Sequence, residues 1–190
     1  MSKLSEAKIL GGIGAILMLI GGSFVGIGAI IGLVLIFVAV KYIANETKDN
    51  SIFDNYLMHF IFSIIAIVAF VAIFLASIGG LTFFSAFEEL NPSDPAAVWE
   101  FIQPYIIWWV IGGLIGWIFL IISAIYLRKS YNSITEHTKV GLFKTTGTVY
   151  LIGAVSAIIL IGFLIIIVAK IIEIVAYFTI PEAIPSSKES

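Results

Sequence analysis

The sequence predicts an all-α integral membrane protein, a single helical bundle of five transmembrane helices, with six as the alternative. Of its 190 residues, 61% are hydrophobic and only 12% are charged. A soluble domain of this length has too little interior volume to hide so much apolar surface. The apolar residues also form long runs between short polar segments, and about 20 consecutive apolar residues are enough for one helix to cross a bilayer.

The first apolar run covers residues 9–44 and is too long for a single crossing. Gly21, Gly22 and Ser23 interrupt it, and two glycines followed by a serine predict a turn in which Ser23 caps the next helix. We therefore predict helices over residues 5–20 and 24–46. The charged N-terminus followed by an apolar run resembles a secretory signal, but the hydrophobic run continues without a cleavage site and is expected to be retained.

The next two helices are predicted over residues 52–78 and 105–127. Asn50 or Ser51 is expected to cap the first of them. Between them lies a predicted loop, residues 79–104, in which Asp94 and Pro95 indicate the start of a short helix ending at Gln103.

The last apolar run, residues 148–180, would be roughly 50 Å long as one helix, more than a single crossing requires. We predict a span over residues 148–169 that continues as an interfacial helix carrying Lys170 and Glu173. The alternative is a second hairpin near Gly162, which would give six spans. A sequence echo between residues 31–39 and 161–169 favours that alternative if it reflects a true repeat.

Charge distribution predicts the orientation. The loop 79–104 contains four acidic residues and no Lys or Arg, whereas the loop 128–147 and the other segments on its side are basic. Because basic residues stay on the cytoplasmic side, we expect loop 128–147 and the N-terminus to be cytoplasmic, loop 79–104 to be external, and the protein to be a multi-pass plasma-membrane protein. Eight basic residues fall on the cytoplasmic side: Lys3, Lys8, Lys41, Lys48, Arg128, Lys129, Lys139 and Lys144.

Four polar residues form a candidate path through the apolar segments: His59, Ser63, Lys170 and Glu173. Ionisable groups at membrane depth indicate a functional site by default. The competing interpretation is structural: His59 lies near the cytoplasmic edge with Ser63 as a hydrogen-bond partner, and Lys170 and Glu173 neutralise each other at spacing i,i+3.

Glycines at helical spacing predict close helix packing. The pattern is Gly-x-x-x-Gly, which allows two helix backbones to approach. It serves either contacts within one chain or a homo-oligomer. The glycines concerned are Gly22, Gly26, Gly28, Gly32, Gly112 and Gly116.

Several classes of function are not supported by the sequence. There is no Cys, so thiolate chemistry and Cys-based metal sites are excluded. We find no motif for a catalytic site, a metal or a cofactor, and no basic run suited to nucleic acid. We expect a non-enzymatic scaffold or accessory membrane subunit whose partners are the lipid bilayer and either a second copy or another membrane protein. The alternative is a small transporter or channel with a sparse polar path.

Four segments carry a family resemblance. They are KLSEAKILGGIG at residues 3–14, VKYIA at 40–44, VGLFKTTG at 140–147, and the run from YLIGA at 150–154 to IPE at 180–182. Together they resemble an archaeal family of small multispanning membrane proteins whose function is uncharacterised. The resemblance covers most of the chain except the acidic loop. It implies an archaeal plasma membrane and implies no activity, substrate or site residue.

Overall fold

The structure is a computed structural model that describes residues 2–21, 27–77, 87–88, 91 and 93–185. The chain divides into two compact units, and each is described by itself. The first unit consists of Met1–Ile61 with Ile121–Ser190, and the second of Phe62–Leu120. Within the described residues the regular structure is entirely helical, as the sequence predicts.

The described helices are α1 (Lys3–Gly21), α2 (Ile27–Thr47), α3 (Asn50–Ser77), α4 (Pro95–Thr138), α5 (Gly141–Ser156) and α6 (Ile161–Phe178). A 3-10 turn, Ala157–Ile159, follows α5. Among the described residues, five segments are long and apolar enough to cross a membrane: Gly28–Thr47, Asn50–Ser77, Pro95–Thr138, Gly141–Ile159 and Ile161–Phe178. The number of these segments equals the five predicted spans, but the segments differ. They do not include the first predicted helix, and the last predicted span is divided into two.

Helices α1 and α2 form a closely packed antiparallel pair. The Lys3 ammonium lies 4.6 Å from the centre of the Tyr42 ring at one end. Further along, a Cβ placed on Gly14 would clash with the Gly32 carbonyl, and one placed on Gly32 would clash with the Gly14 carbonyl. Only glycine permits this distance between the two backbones. The predicted turn at Gly22 and Ser23, with its Ser23 cap, lies outside the described residues.

Side-chain caps set the starts of α3 and α4. The Asp49 carboxylate accepts a hydrogen bond from the Ser51 amide at 3.0 Å, so Asp49 takes the capping role that the sequence assigned to Asn50 or Ser51. At α4 the Asp94 carboxylate accepts from the Ala96 amide at 3.0 Å, and Pro95 is the first helical residue. The predicted helix start at Asp94 and Pro95 is therefore confirmed.

Helix α4 extends well past its predicted end. It runs unbroken through Pro104 to Thr138, so the predicted helix ends at Gln103 and at residue 127 are wrong, and the predicted loop 128–147 is helical up to Thr138. The reason is an amphipathic stripe, since the side chains at spacings of three and four residues are buried: Leu127, Ser130, Tyr131, Ile134 and Thr138. The polar residues between them occupy the exposed face. The overall composition of this segment is polar, so composition alone did not indicate its helical spacing of apolar residues.

The prediction of one continuous helix over residues 148–169 is also wrong. The chain folds back through the 3-10 turn and Leu160, whose φ of 62° is left-handed. A Cβ on Gly162 would clash with the Gly153 carbonyl and the Ala157 amide, so α5 and α6 approach backbone to backbone. This is the alternative second hairpin, and the echoed glycines Gly32 and Gly162 each lie against the carbonyl of a glycine on the preceding helix.

In the second unit, α3 and α4 pack through small residues. Gly116 lies against the Ala66 carbonyl and Gly112 against Ile73. The ring of Trp109 stacks on Phe74 at 5.5 Å and on Tyr105 at 6.2 Å. Both glycines therefore contact a helix of the same chain.

Candidate functional site: a buried ion pair among tyrosines

An ion pair lies inside the first unit, on α6. The Lys170 ammonium is 2.6 Å from Oε2 of Glu173, and the two side chains are 13% and 1% exposed. The spacing i,i+3 places both on one helix face. That face is the buried one, because Ala169, Ala176 and Tyr177 are also fully buried.

Tyr131 of α4 supplies the second contact to the carboxylate. Its hydroxyl donates a hydrogen bond to Oε1 of Glu173, so each carboxylate oxygen has a different partner. The Tyr131 ring packs edge-on against Phe143 of α5 at 5.3 Å and stacks on Tyr56 of α3 at 6.4 Å. Phe143 in turn packs against Tyr177 at 5.1 Å. Rings from four helices therefore enclose the carboxylate.

Tyr150 of α5 connects the ion pair to His59. The Lys170 ammonium is 5.6 Å from the centre of the Tyr150 ring, within cation–π range. The edge of the same ring meets the His59 imidazole of α3 at 5.9 Å, with the planes nearly perpendicular. Lys170, Tyr150 and His59 thus form a continuous contact across three helices.

His59 is held by Ser123 of α4. The Ser123 hydroxyl lies 3.0 Å from the His59 carbonyl, and the His59 Nδ1 lies 3.1 Å from the Ser123 carbonyl. The Ser123 hydroxyl also lies 2.7 Å from the His59 Nδ1, so the two side chains form a direct hydrogen bond whose donor depends on the His59 tautomer. The predicted partner Ser63 lies one helical turn further along α3, in the second unit, and is half-buried.

We call Tyr131, Tyr150, Lys170 and Glu173, with the His59–Ser123 pair, the buried polar cluster. By helix rise, Glu173 lies roughly 8 Å and Lys170 roughly 12 Å from the C-terminal end of α6. Tyr56 and Tyr177 are further titratable groups near the carboxylate, packed against Tyr131 and Phe143. On α1, which packs on α6 at Gly11 and Gly12, the nearest charged residue in sequence is Lys8.

This arrangement is suited to holding and exchanging a proton. Desolvation makes an isolated buried carboxylate very unfavourable, so Glu173 is stable in its charged form only with Lys170 and Tyr131 in place. Protonation of Glu173 would release the ammonium and remove the charge from the tyrosine contact. Across the described part of the chain no group of three His, Cys, Asp or Glu side chains is placed to hold a metal ion.

Of the predicted path residues, His59, Lys170 and Glu173 lie in the first unit and are linked through Tyr150. Ser63 belongs to the second unit. Of the predicted packing glycines, Gly32, Gly112 and Gly116 contact helices of the same chain, and Gly28 lies in α2. Gly22 and Gly26 lie outside the described residues.

The tyrosines around the ion pair are the residues that sequence reasoning missed. Tyr56, Tyr131 and Tyr177 are almost fully inaccessible, yet each reads locally as an aromatic residue near a helix end. One signal was present for Tyr131, since it belongs to the buried stripe of α4. Its pairing with Glu173, 42 residues away, depends on the second hairpin and has no local signature.

A second polar contact lies where α2 meets α3. His137 Nε2 is 3.1 Å from the Asp49 carboxylate. Hydrogen bonding from Ser51, with a further contribution from His137, lowers the pKa of Asp49 below its usual value. This contact joins the C-terminal end of α4 to the α2–α3 connection within the first unit.

Comparison with known proteins gives consistent results. The family described as "Protein of unknown function (DUF996)" matches residues 28–171. The uncharacterised protein MJ1644 of Methanocaldococcus jannaschii is 34% identical over 184 residues, which covers 97% of each chain. No solved structure matches the chain.

Proposed function

The chain belongs to the DUF996 family, and we propose that it is a transport protein that moves protons across the membrane through the buried polar cluster. Glu173 is the proton-binding group, Lys170 its counter-charge and Tyr131 its hydrogen-bond donor. His59 lies at the far end of the cluster and serves as the second station. The proposal involves no covalent chemistry, and we therefore propose a non-enzymatic protein.

One observation carries this proposal: a carboxylate that is 1% exposed lies inside a bundle of helices otherwise apolar enough to cross a membrane. Burying an ion pair seldom adds stability over apolar residues of similar volume. Ionisable residues inside membrane bundles commonly mark ion or proton pathways. The chain of contacts from Glu173 through Lys170 and Tyr150 to His59 supplies neighbouring groups for the proton.

A six-crossing topology in the plasma membrane, with both ends cytoplasmic, forms part of the proposal. The Ser2 hydroxyl donates to the Glu182 carbonyl at 2.7 Å, which supports both chain ends on one side of the membrane and an even number of crossings. The five candidate crossing segments do not include α1, and we propose α1 as the sixth crossing because it runs alongside α2 from Tyr42 to Gly32. The basic residues near these ends support the cytoplasmic assignment.

Proton flux in liposomes tests the proposal. The purified protein is reconstituted with a pH-sensitive dye inside, the membrane potential is clamped with potassium and valinomycin, and an external pH step is applied. We expect wild-type flux well above that of empty liposomes and at least about tenfold lower flux for Glu173→Gln, since each tenfold change corresponds to only about 1.4 kcal/mol. Glu136→Gln, on the exposed face of α4, is the matched control and should retain wild-type flux.

Two outcomes would overturn it. Wild-type flux equal to empty liposomes rejects proton transport, and undiminished flux in Glu173→Gln rejects the buried polar cluster as the route. Tyr131→Phe, which keeps the ring and removes only the hydroxyl, guards against a folding artefact. It should reduce flux while eluting as a monodisperse protein in size-exclusion chromatography.

The second candidate function is a non-enzymatic scaffold or accessory subunit. Its support is the dense glycine packing of the two hairpins, Gly14 with Gly32 and Gly153 with Gly162, which uses small residues for rigidity within the chain. In that case the ion pair fixes the position of α6 and carries no proton. Flux absent from the wild type, together with co-purification of a membrane partner or a second copy, would favour this function.

A further inference from the structure

A polar cleft of about 210 Å³ opens where α2 ends and α3 begins, in the first unit. Two charged residues of opposite sign face it, Lys41 on α2 and Asp54 on α3, together with two amides. Its lining consists of Lys41, Ala44, Asn45, Asn50, Phe53 and Asp54.

An apolar groove of about 170 Å³ lies deeper along the same two helices. Its lining contains no polar side chain. The residues are Leu33, Val34, Phe37 and Val38 of α2 and Phe60 of α3.

Phe37 joins the cleft to the groove. Its ring packs edge-on against Phe53, a wall of the cleft, at 4.9 Å and against Phe60, a wall of the groove, at 5.7 Å. The Lys41 ammonium sits 5.4 Å from the centre of the Phe53 ring, at the boundary between them. By helix rise, Lys41 is roughly 9 Å and Val34 roughly 20 Å from the end of α2 at Thr47.

We propose that this seam binds one membrane phospholipid whose headgroup carries both a phosphate and an ammonium. Lys41 pairs with the phosphate and Asp54 with the ammonium, while Asn45 and Asn50 hydrogen-bond the remaining headgroup oxygens. The upper part of an acyl chain occupies the groove beside Phe37. The order of the lining, charged at the helix end and apolar about two turns deeper, matches the order of polarity along a phospholipid.

A lipid is the occupant that this order of polarity favours. A soluble ligand would occupy the cleft and leave the groove empty. An acyl chain without a headgroup would fill the groove and offer no negative charge to Lys41, whose one oppositely charged neighbour in the cleft lining is Asp54. The inference does not depend on proton transport, because the seam shares no residue with the buried polar cluster.

Native mass spectrometry of the detergent-purified protein tests the site. Phosphatidylethanolamine, phosphatidylglycerol and diacylglycerol with identical chains are titrated against the wild type and Lys41→Ala. We expect phosphatidylethanolamine to bind most tightly and Lys41→Ala to weaken it about fivefold, the contribution typical of one basic residue at a lipid surface. Lys144→Ala, at an exposed lysine on α5, is the matched control and should bind as the wild type does.

Two further measurements examine the headgroup and the chain separately. Asp54→Asn should abolish the preference for phosphatidylethanolamine over phosphatidylglycerol, and a retained preference refutes the ammonium contact. Soluble glycerophosphoethanolamine should compete poorly, because it lacks the chain that fills the groove. Equal competition by this headgroup, or unchanged binding in Lys41→Ala, overturns the site.

Discussion

Replacement of Lys170 by Met should destabilise the protein more than any other single change in the buried polar cluster. The Glu173 side chain is 1% exposed, so loss of the ammonium leaves a buried carboxylate with no counter-charge. Breaking a buried ion pair from one side costs about 3–5 kcal/mol. The reverse variant, Glu173→Gln, should cost less, because the 13% exposed Lys170 can extend its ammonium toward the nearby helix end.

The double variant makes the prediction quantitative. Lys170→Met with Glu173→Gln removes both charges and leaves an amide oxygen to accept from the Tyr131 hydroxyl. Its free energy of unfolding should lie within about 1.5 kcal/mol of the wild type, since a neutral replacement of a buried pair is often tolerated. The coupling energy of the cycle is therefore expected to be at least about 2 kcal/mol.

Equilibrium unfolding in mixed detergent micelles, followed by circular dichroism, measures these energies. Tryptophan fluorescence is unsuitable, because all four Trp residues lie within residues 99–117 and report on the second unit. A coupling energy near zero would refute the reasoning. A higher free energy of unfolding for Lys170→Met than for Glu173→Gln would also refute it, because the burial of Glu173 would then not determine the loss of stability.

Three further perturbations have expected outcomes. Leu160→Gly should raise the free energy of unfolding by about 0.5–1 kcal/mol, because the left-handed φ of 62° favours glycine and the Leu160 side chain is 74% exposed. A lower free energy of unfolding contradicts this. Gly162→Ala should lower the free energy of unfolding by about 1–3 kcal/mol or more, since its Cβ would meet backbone atoms. Gly113→Ala is the control: a Cβ there has open space, so the variant should be neutral or stabilising in the same assay. The lowered pKa of Asp49 contributes stability that is present above its unfolded pKa of about 3.9 and is lost as pH falls through the folded value. Thermal unfolding between pH 2 and 6 should show this loss in the wild type and a smaller one in Asp49→Asn.

Sequence reasoning predicted the helices because composition and run length determine them directly. An apolar run long enough to cross a bilayer has few alternatives to a helix, and the starts of α3 and α4 follow from short polar side chains near their first turns. The cap at Asp94 is a local interaction and is readable from Asp94 and Pro95 alone. The same local logic fails at α4 beyond Leu127, where helical period, and not composition, was the informative signal.

The second hairpin and the buried polar cluster were beyond local reasoning for different reasons. The three residues before Leu160 include no Gly or Pro, so the sequence there gives no turn signal. The turn goes with the close contact between Gly153 and Gly162. The signals for it were the length of residues 148–180, which exceeds the bilayer as one helix, the glycine at Gly162 and the echo of residues 31–39 in 161–169. Once α6 folds back, Glu173 meets Tyr131 from a distant part of the chain, a contact that no spacing rule predicts.

Cysteine labelling in intact cells tests the proposed topology directly. The chain has no native Cys, so single substitutions report on single sites. Because Ser2 bonds to Glu182, Ala183→Cys should share the cytoplasmic side with Glu136→Cys, and both should react with a membrane-impermeant maleimide only after permeabilisation. Ser93→Cys, between α3 and α4, should react in intact cells. If Ala183→Cys reacts together with Ser93→Cys, the chain ends lie on opposite sides and the number of crossings is odd. Lys170 and Glu173 would then lie near the external surface, where a charged pair has access to water and needs no transport function to explain it.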